Sequence, residues 1–225
     1  MIINHDHPKY RDKWKLQIEN RWNGAFFYSK EICKYIIPEI KTDRNWVTVN
    51  VYGQAFDHSI IFIHNNLHPE RYAWLKEFRD LILVCGVPET MDKVRHLGMP
   101  IYLPLSVDVP YVENYILPYH EEDVAFVGRQ SKRREYNFPD NVDFLENMPR
   151  GELLTEMAKY KEVYAVGRTA IEARILGCKI LPYDPRYPDP ERWQILDSRD
   201  AAIILQEELD EVEKHGNRTH KRSLL

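Results

Sequence analysis

The residues best suited to chemistry in this chain gather at two glycine turns and one histidine. Val166-Gly167-Arg168-Thr169 closes a short apolar run and opens a helix-length segment that carries Glu172 one turn further in. A turn of this kind leaves backbone N–H groups unpaired at a helix N-terminus. The helix dipole favours negative charge there, so phosphate is the natural guest. Arg168 adds a fixed positive charge. Gly128-Arg129 follows another apolar run and leads into Gln130-Ser131-Lys132-Arg133-Arg134. Arginine's planar fork suits phosphate oxygens. The same basic run also reads as a solvated helix start balanced by Glu121, Glu122 and Asp123. His64 ends a continuous apolar run, and a histidine is poised near neutral pH to act as a base. It reads equally as a hydrogen-bonded structural histidine. His5 and Asp6 are weaker candidates for the same role. Asp57, His58, Asn65 and Asp184 complete the polar residues expected at strand ends. His5-x-His7 alone is no metal-binding pattern.

The elements that must hold these residues can be read from periodicity. Val163–Val166 and Lys179–Pro182 are β-type runs on either side of a helix over 168–176, with Gly177 as its stop. That is a βαβ unit with a very short crossover. Trp46–Val51 alternates, whereas Ser59–His64 and Leu81–Cys85 are continuous apolar runs, the mark of strands buried on both faces. Further strands are expected at 2–4, 101–105, 123–127 and 142–145. Helices are expected at 25–40, 69–79, 88–97, 149–160 and 197–214. Alternating strands and helices predict α/β architecture, with parallel sheets covered by helices on both faces. Residues 110–122 read as a Pro- and Tyr-rich connector, and 185–196 as a Pro-rich loop.

Gly167-Arg168-Thr169-Ala170-Ile171-Glu172-Ala173, followed by Gly177-Cys178-Lys179-Ile180-Leu181, resembles the donor-binding segment of the GT-B glycosyltransferases. The resemblance implies that the glycine turn meets a donor diphosphate and that Glu172 binds the ribose hydroxyls. Many retaining members carry a second glutamate eight residues earlier, where this chain has Tyr164; the match is closer to members with a Thr-x-x-Glu turn. Leu81–Val109 resembles the end of the family's N-terminal domain, with Pro104-Leu105-Ser106-Val107-Asp108 as the hinge. Phe126-Val127-Gly128-Arg129 resembles the step that opens its C-terminal domain. Arg129 is then the first basic contact to the diphosphate, and Lys132, Arg133 or Arg134 the second. The implied fold is two compact Rossmann-like domains, residues 1–115 for the acceptor and 116–225 for the donor. The implied activity is metal-independent transfer from a nucleotide sugar, which is a substrate rather than a cofactor, to an unidentified acceptor, with His64 as base. Thr169-x-x-Glu172 is also the spacing of a capping box, in which each side chain satisfies the other's backbone N–H. Two alternatives stand beside transfer: a protein that binds the nucleotide and transfers nothing, and an interaction protein in which Thr169 and Glu172 only cap a helix.

Composition narrows the classes. The chain has 225 residues, 44% hydrophobic and 29% charged, with a net charge of −4. This balance predicts a globular protein with a sizeable core and argues against nucleic acid or an anionic membrane surface as partner. The three cysteines are isolated, and there is neither a signal-like apolar core nor a run near the roughly 20 apolar residues of a membrane span. Together these point to a cytoplasmic setting.

Overall fold

The computed structural model describes residues 2–3, 24–48, 55–63 and 69–222. The chain divides into two compact units, one built on Ser29–Pro104 with the residues from Ser198 onward, the other on Leu105–Asp197. Both units are α/β with parallel sheets, Rossmann-like in general outline. The division falls at Pro104/Leu105 rather than between 115 and 116, and the C-terminal helix belongs to the first unit. The physical reason is that the Pro- and Tyr-rich stretch is not a linker. Val107 N donates to the Leu196 carbonyl at 3.1 Å, and Val109 N donates to Asp197 Oδ2 at 3.0 Å. A short helix, Val109–Glu113, starts beside them and buries Val112.

The first sheet has five parallel strands in consecutive order: β1 (Ile2–Ile3), β2 (Asn45–Thr48), β3 (Ser59–Ile63), β4 (Leu81–Cys85) and β5 (Met99–Tyr102). β3 and β4 are buried at every position, as their continuous apolar runs require. Residues in register share a face, so Ile61 lies beside Leu83, and Phe62 beside Val84. The Ile61, Ile63, Leu81, Leu83 and Cys85 face packs on Tyr72 and Leu75 from the 3-10 stretch Pro69–Glu77. Val94 and Leu97, at the end of the helix Pro88–Val94, complete this cluster. The strand order of this sheet has no reversal among the described strands.

α1 (Gly24–Glu31) passes into a π-turn at Ile32–Ile36 and a 3-10 turn at Ile37–Glu39. The single helix expected over 25–40 loosens here because Pro38 has no N–H to continue the ladder. The helix Pro88–Val94 is α2, and Val109–Glu113 is α3. The final helix, Ser198–Arg222, returns to the first unit, packs against Ile32–Glu39, and buries Ala201, Ala202, Leu205 and Leu209.

The second sheet comprises β6 (Glu122–Val127), β7 (Asp143–Leu145), β8 (Tyr160–Tyr164) and β9 (Lys179–Leu181), parallel and ordered β7-β6-β8-β9. Its crossovers are α4 (Gln130–Glu135), α5 (Arg150–Met157) and α6 (Arg168–Ile175); the C-terminal helix is α7. The chain steps from β6 to β7 in one direction and from β7 to β8 in the other. Right-handed crossovers therefore put α4 on one face and α5 and α6 on the opposite one. Phe126, Phe144 and Tyr164 lie in register on one face. They form an aromatic layer with Phe138 and Tyr183; the Phe126–Phe138 and Phe138–Tyr164 centroids are 4.7 and 5.2 Å apart. Ala125, Val163 and Ile180 form the other row, on the face of α5 and α6. α6 ends at Gly177, φ 86°, with Cys178 N bonded to the Ala173 carbonyl and Gly177 N to the Arg174 carbonyl. This is a Schellman stop that glycine adopts at little cost.

At the amino ends of β2, β3 and β4, His58 is held between two carboxylates: Nδ1 lies 2.5 Å from Asp80 Oδ2 and Nε2 3.1 Å from Asp43 Oδ1. Arg44 donates to the Asp80 carbonyl and Oδ1, and approaches Glu213 of α7 at 3.8 Å. The Asp80 hydrogen bond, followed by that of Asp43, raises the His58 pKa above its ordinary value. His58 adds stability while protonated. That contribution is complete below about pH 6.5, the ordinary histidine value, and is lost as pH rises through the raised folded value. Urea unfolding across pH 5 to 9 is expected to show this downward slope in the wild type and not in His58→Gln. Equal slopes in the two proteins would remove His58 as its source.

Candidate functional site

The reversal of strand order between β6 and β8 marks, at their carboxyl ends, the place where open α/β sheets receive ligands. Two loops line it. After β8, Gly167 takes φ 65°, ψ −140°, a conformation open essentially to glycine, and serves as the N-cap of α6. Its carbonyl accepts from Ala170 N and Ile171 N at 3.1 and 3.2 Å. Arg168 is the first helical residue and Thr169, half-buried, the second. The cap therefore belongs to Gly167, with no side-chain hydrogen bond, and the Thr169–Glu172 capping box does not form.

Glu172 has a different task. It is 5% exposed, and its Oε1 lies 2.9 Å from Arg168 Nη2 and 2.9 Å from Arg150 Nη2, with Arg168 itself 3% exposed. Arg150 opens α5, and its guanidinium lies 4.9 Å from the Tyr111 ring centre. Tyr115 OH donates to Tyr111 OH at 3.1 Å. One carboxylate is thus shared by two buried guanidiniums.

After β6, Gly128 sits against the aromatic layer; a Cβ there would come within 2.6 Å of Phe126 Cζ. Arg129 is exposed and extended at the start of α4, and its carbonyl accepts from Lys132 N at 2.8 Å. Lys132 leans toward the end of β9, where Nζ is 3.6 Å from Asp184 Oδ2. Asp184 is 1% exposed and accepts from Arg186 N at 3.1 Å, Nε at 2.8 Å and Nη2 at 2.5 Å. Burial opposes ionisation of Asp184, but the Arg186 bonds outweigh it and hold its pKa down at about 2. Burial, together with Asp184, drives the Tyr136 phenol up, and burial drives the Tyr183 phenol well up.

The structure brings Gly128, Arg129 and Lys132, Gly167, Arg168, Thr169 and Glu172, and Asp184 to the carboxyl ends of one sheet. His64, Asn65, His5 and Asp6 lie outside the described residues. Asp57 and His58, expected with them, precede β3 and so sit at the amino ends of the first sheet, the opposite edge from a crevice. Arg150 and Arg186 escaped the sequence reading. Arg150 meets Glu172 only through the fold, whereas Arg186, two residues after Asp184, carried a local signal. The 185–196 loop is packed: Tyr187 and Trp193 are buried with ring centres 5.4 Å apart, and Arg174 of α6 reaches Glu191 and the Pro190 carbonyl.

Among the described residues no group of three or more His, Cys, Asp and Glu could hold a metal ion. Among the same residues, no helix is long and apolar enough to cross a membrane. The sequence matches no protein-family model and no curated protein.

Removing the shared carboxylate leaves two buried guanidiniums facing one another. Glu172→Ala is expected to destabilise the protein by about 3 kcal/mol, as breaking a buried ion pair typically does. Urea denaturation measures this. A change below about 1 kcal/mol, the scale of an exposed pair, would show that the cluster is not structural.

Proposed function

We propose that the second unit binds a nucleoside diphosphate in the crevice between β6 and β8, and that the protein is a glycosyltransferase of GT-B type using a nucleotide-sugar donor. The observation that carries the reading is the strand-order reversal with a basic glycine turn on each side of it, Gly128-Arg129 and Gly167-Arg168. Backbone donors at the start of α6 and the cations Arg129 and Lys132 offer a diphosphate the positive surroundings that a departing phosphate group needs. His64 is the proposed base for the acceptor hydroxyl, on the sequence ground that it ends the apolar run from Ser59.

Glu172 admits two roles within this reading. As the ribose ligand it must turn a carboxylate oxygen toward the nucleotide while keeping its arginines. As a positioning residue it acts only by fixing Arg168 and Arg150. Its burial between both guanidiniums favours the second role. The same burial lends weight to a protein that holds the nucleotide without transferring from it.

Thermal stabilisation by UDP, GDP, ADP, CMP, dTDP and inorganic pyrophosphate tests the reading. A ligand at 100 times its dissociation constant adds about 2.7 kcal/mol. The expected result is stabilisation of the wild type by one nucleoside diphosphate, reduced in Arg129→Gln. With Glu172→Gln, a loss for nucleotide but not pyrophosphate marks a ribose ligand; a loss for both marks a positioning role. No response to any diphosphate would overturn the proposal. Release of free sugar or its transfer from the matching nucleotide sugar then separates an enzyme from a binding protein.

A further inference from the structure

Resting on the diphosphate reading of the second unit, we infer that Arg186 is a second-side phosphate ligand and that buried Asp184 is its positioning residue. Asp184 sits just past β9, 1% exposed, and takes three hydrogen bonds from Arg186, through the backbone N, Nε and Nη2. Lys132 approaches Oδ2, the oxygen that also accepts from Arg186 Nη2, at 3.6 Å from α4, the crossover on the opposite face of the sheet from α6. One inaccessible carboxylate therefore gathers two cations at the carboxyl rim. Their side chains remain 30% and 38% exposed for Lys132 and Arg186, so both still reach solvent. A guanidinium has five donors; Asp184 engages Nε and one Nη2 position, and Tyr136 hydrogen-bonds Arg186 as well, so donors remain for a phosphate oxygen. The α6 turn would meet the diphosphate from one face of the sheet, and the Lys132–Arg186 pair from the other.

This arrangement has a signature that simple charge attraction lacks. Asp184→Asn removes a negative charge beside the site. If only net charge mattered, anions would bind more tightly. If Asp184 positions the two cations, anions bind more weakly although the site has become more positive. Isothermal titration of the full chain with inorganic pyrophosphate is the test, with UDP run in parallel. Arg186→Gln and Asp184→Asn are each expected to weaken pyrophosphate binding by about tenfold, the worth of one charge-assisted hydrogen bond. Arg186→Gln alters an accessible side chain and serves where Asp184→Asn fails to fold. Wild-type binding left unchanged by Arg186→Gln, or tightened by a folded Asp184→Asn, overturns this inference while the crevice reading stands. Absence of pyrophosphate and UDP binding in the wild type overturns both.

Discussion

The carboxylate of Glu172, shared by Arg168 and Arg150, is the constraint around which the second unit is arranged. Neither arginine could be buried alone, because removing a charge from water costs several kcal/mol unless a partner is in place. The pairing fixes the first turn of α6 to the first turn of α5, two helices that lie on the same face of the sheet and open near its carboxyl edge. Tyr111 of α3 covers Arg150 and is bonded by Tyr115 just beyond that helix, which ties the former connector into the same cluster. The glycine turn ahead of Arg168 is thus anchored from behind by a buried ion pair.

Much of the fold was legible because it depends on local rules. Ser59–Ile63 and Leu81–Cys85 read as doubly covered strands from continuous apolar runs, and they are buried throughout. Gly167 and Gly177 marked the two ends of α6, and both take positive φ. What escaped depends on contacts distant in sequence. Strand order has no local signature, so the one-directional first sheet and the reversing second sheet looked alike. Nothing near Arg150 announces Glu172, which lies 22 positions away. The spacing of Thr169 and Glu172 suggested a reciprocal cap, but Gly167, two residues before Thr169, took the capping position and freed the glutamate for the arginines. Val109–Glu113 was hidden by Pro110, although Pro near the first helical position is favourable.

The two sheets also divide their chemistry. The first gathers charged groups at its amino edge, where Asp43, His58, Asp80 and Arg44 neutralise one another. The second carries its cations at the carboxyl edge, partly turned to solvent around buried carboxylates. A neutralised cluster at the base of strands secures loops; a cluster with donors left over at the tips of strands is suited to an anion.

The return of α7 to the first unit bears on the order of synthesis. The sheet of the second unit comes from one unbroken stretch of chain, whereas the first unit joins groups as far apart as Lys41 and Gln206, 165 residues distant. Contacts of that range form late, because the intervening chain must be closed into a loop first. During translation the second unit can complete its core while Ile32, Ile36 and their neighbours still await the helix that packs on them. α7 is therefore the element that finishes the unit whose strands come first in the chain.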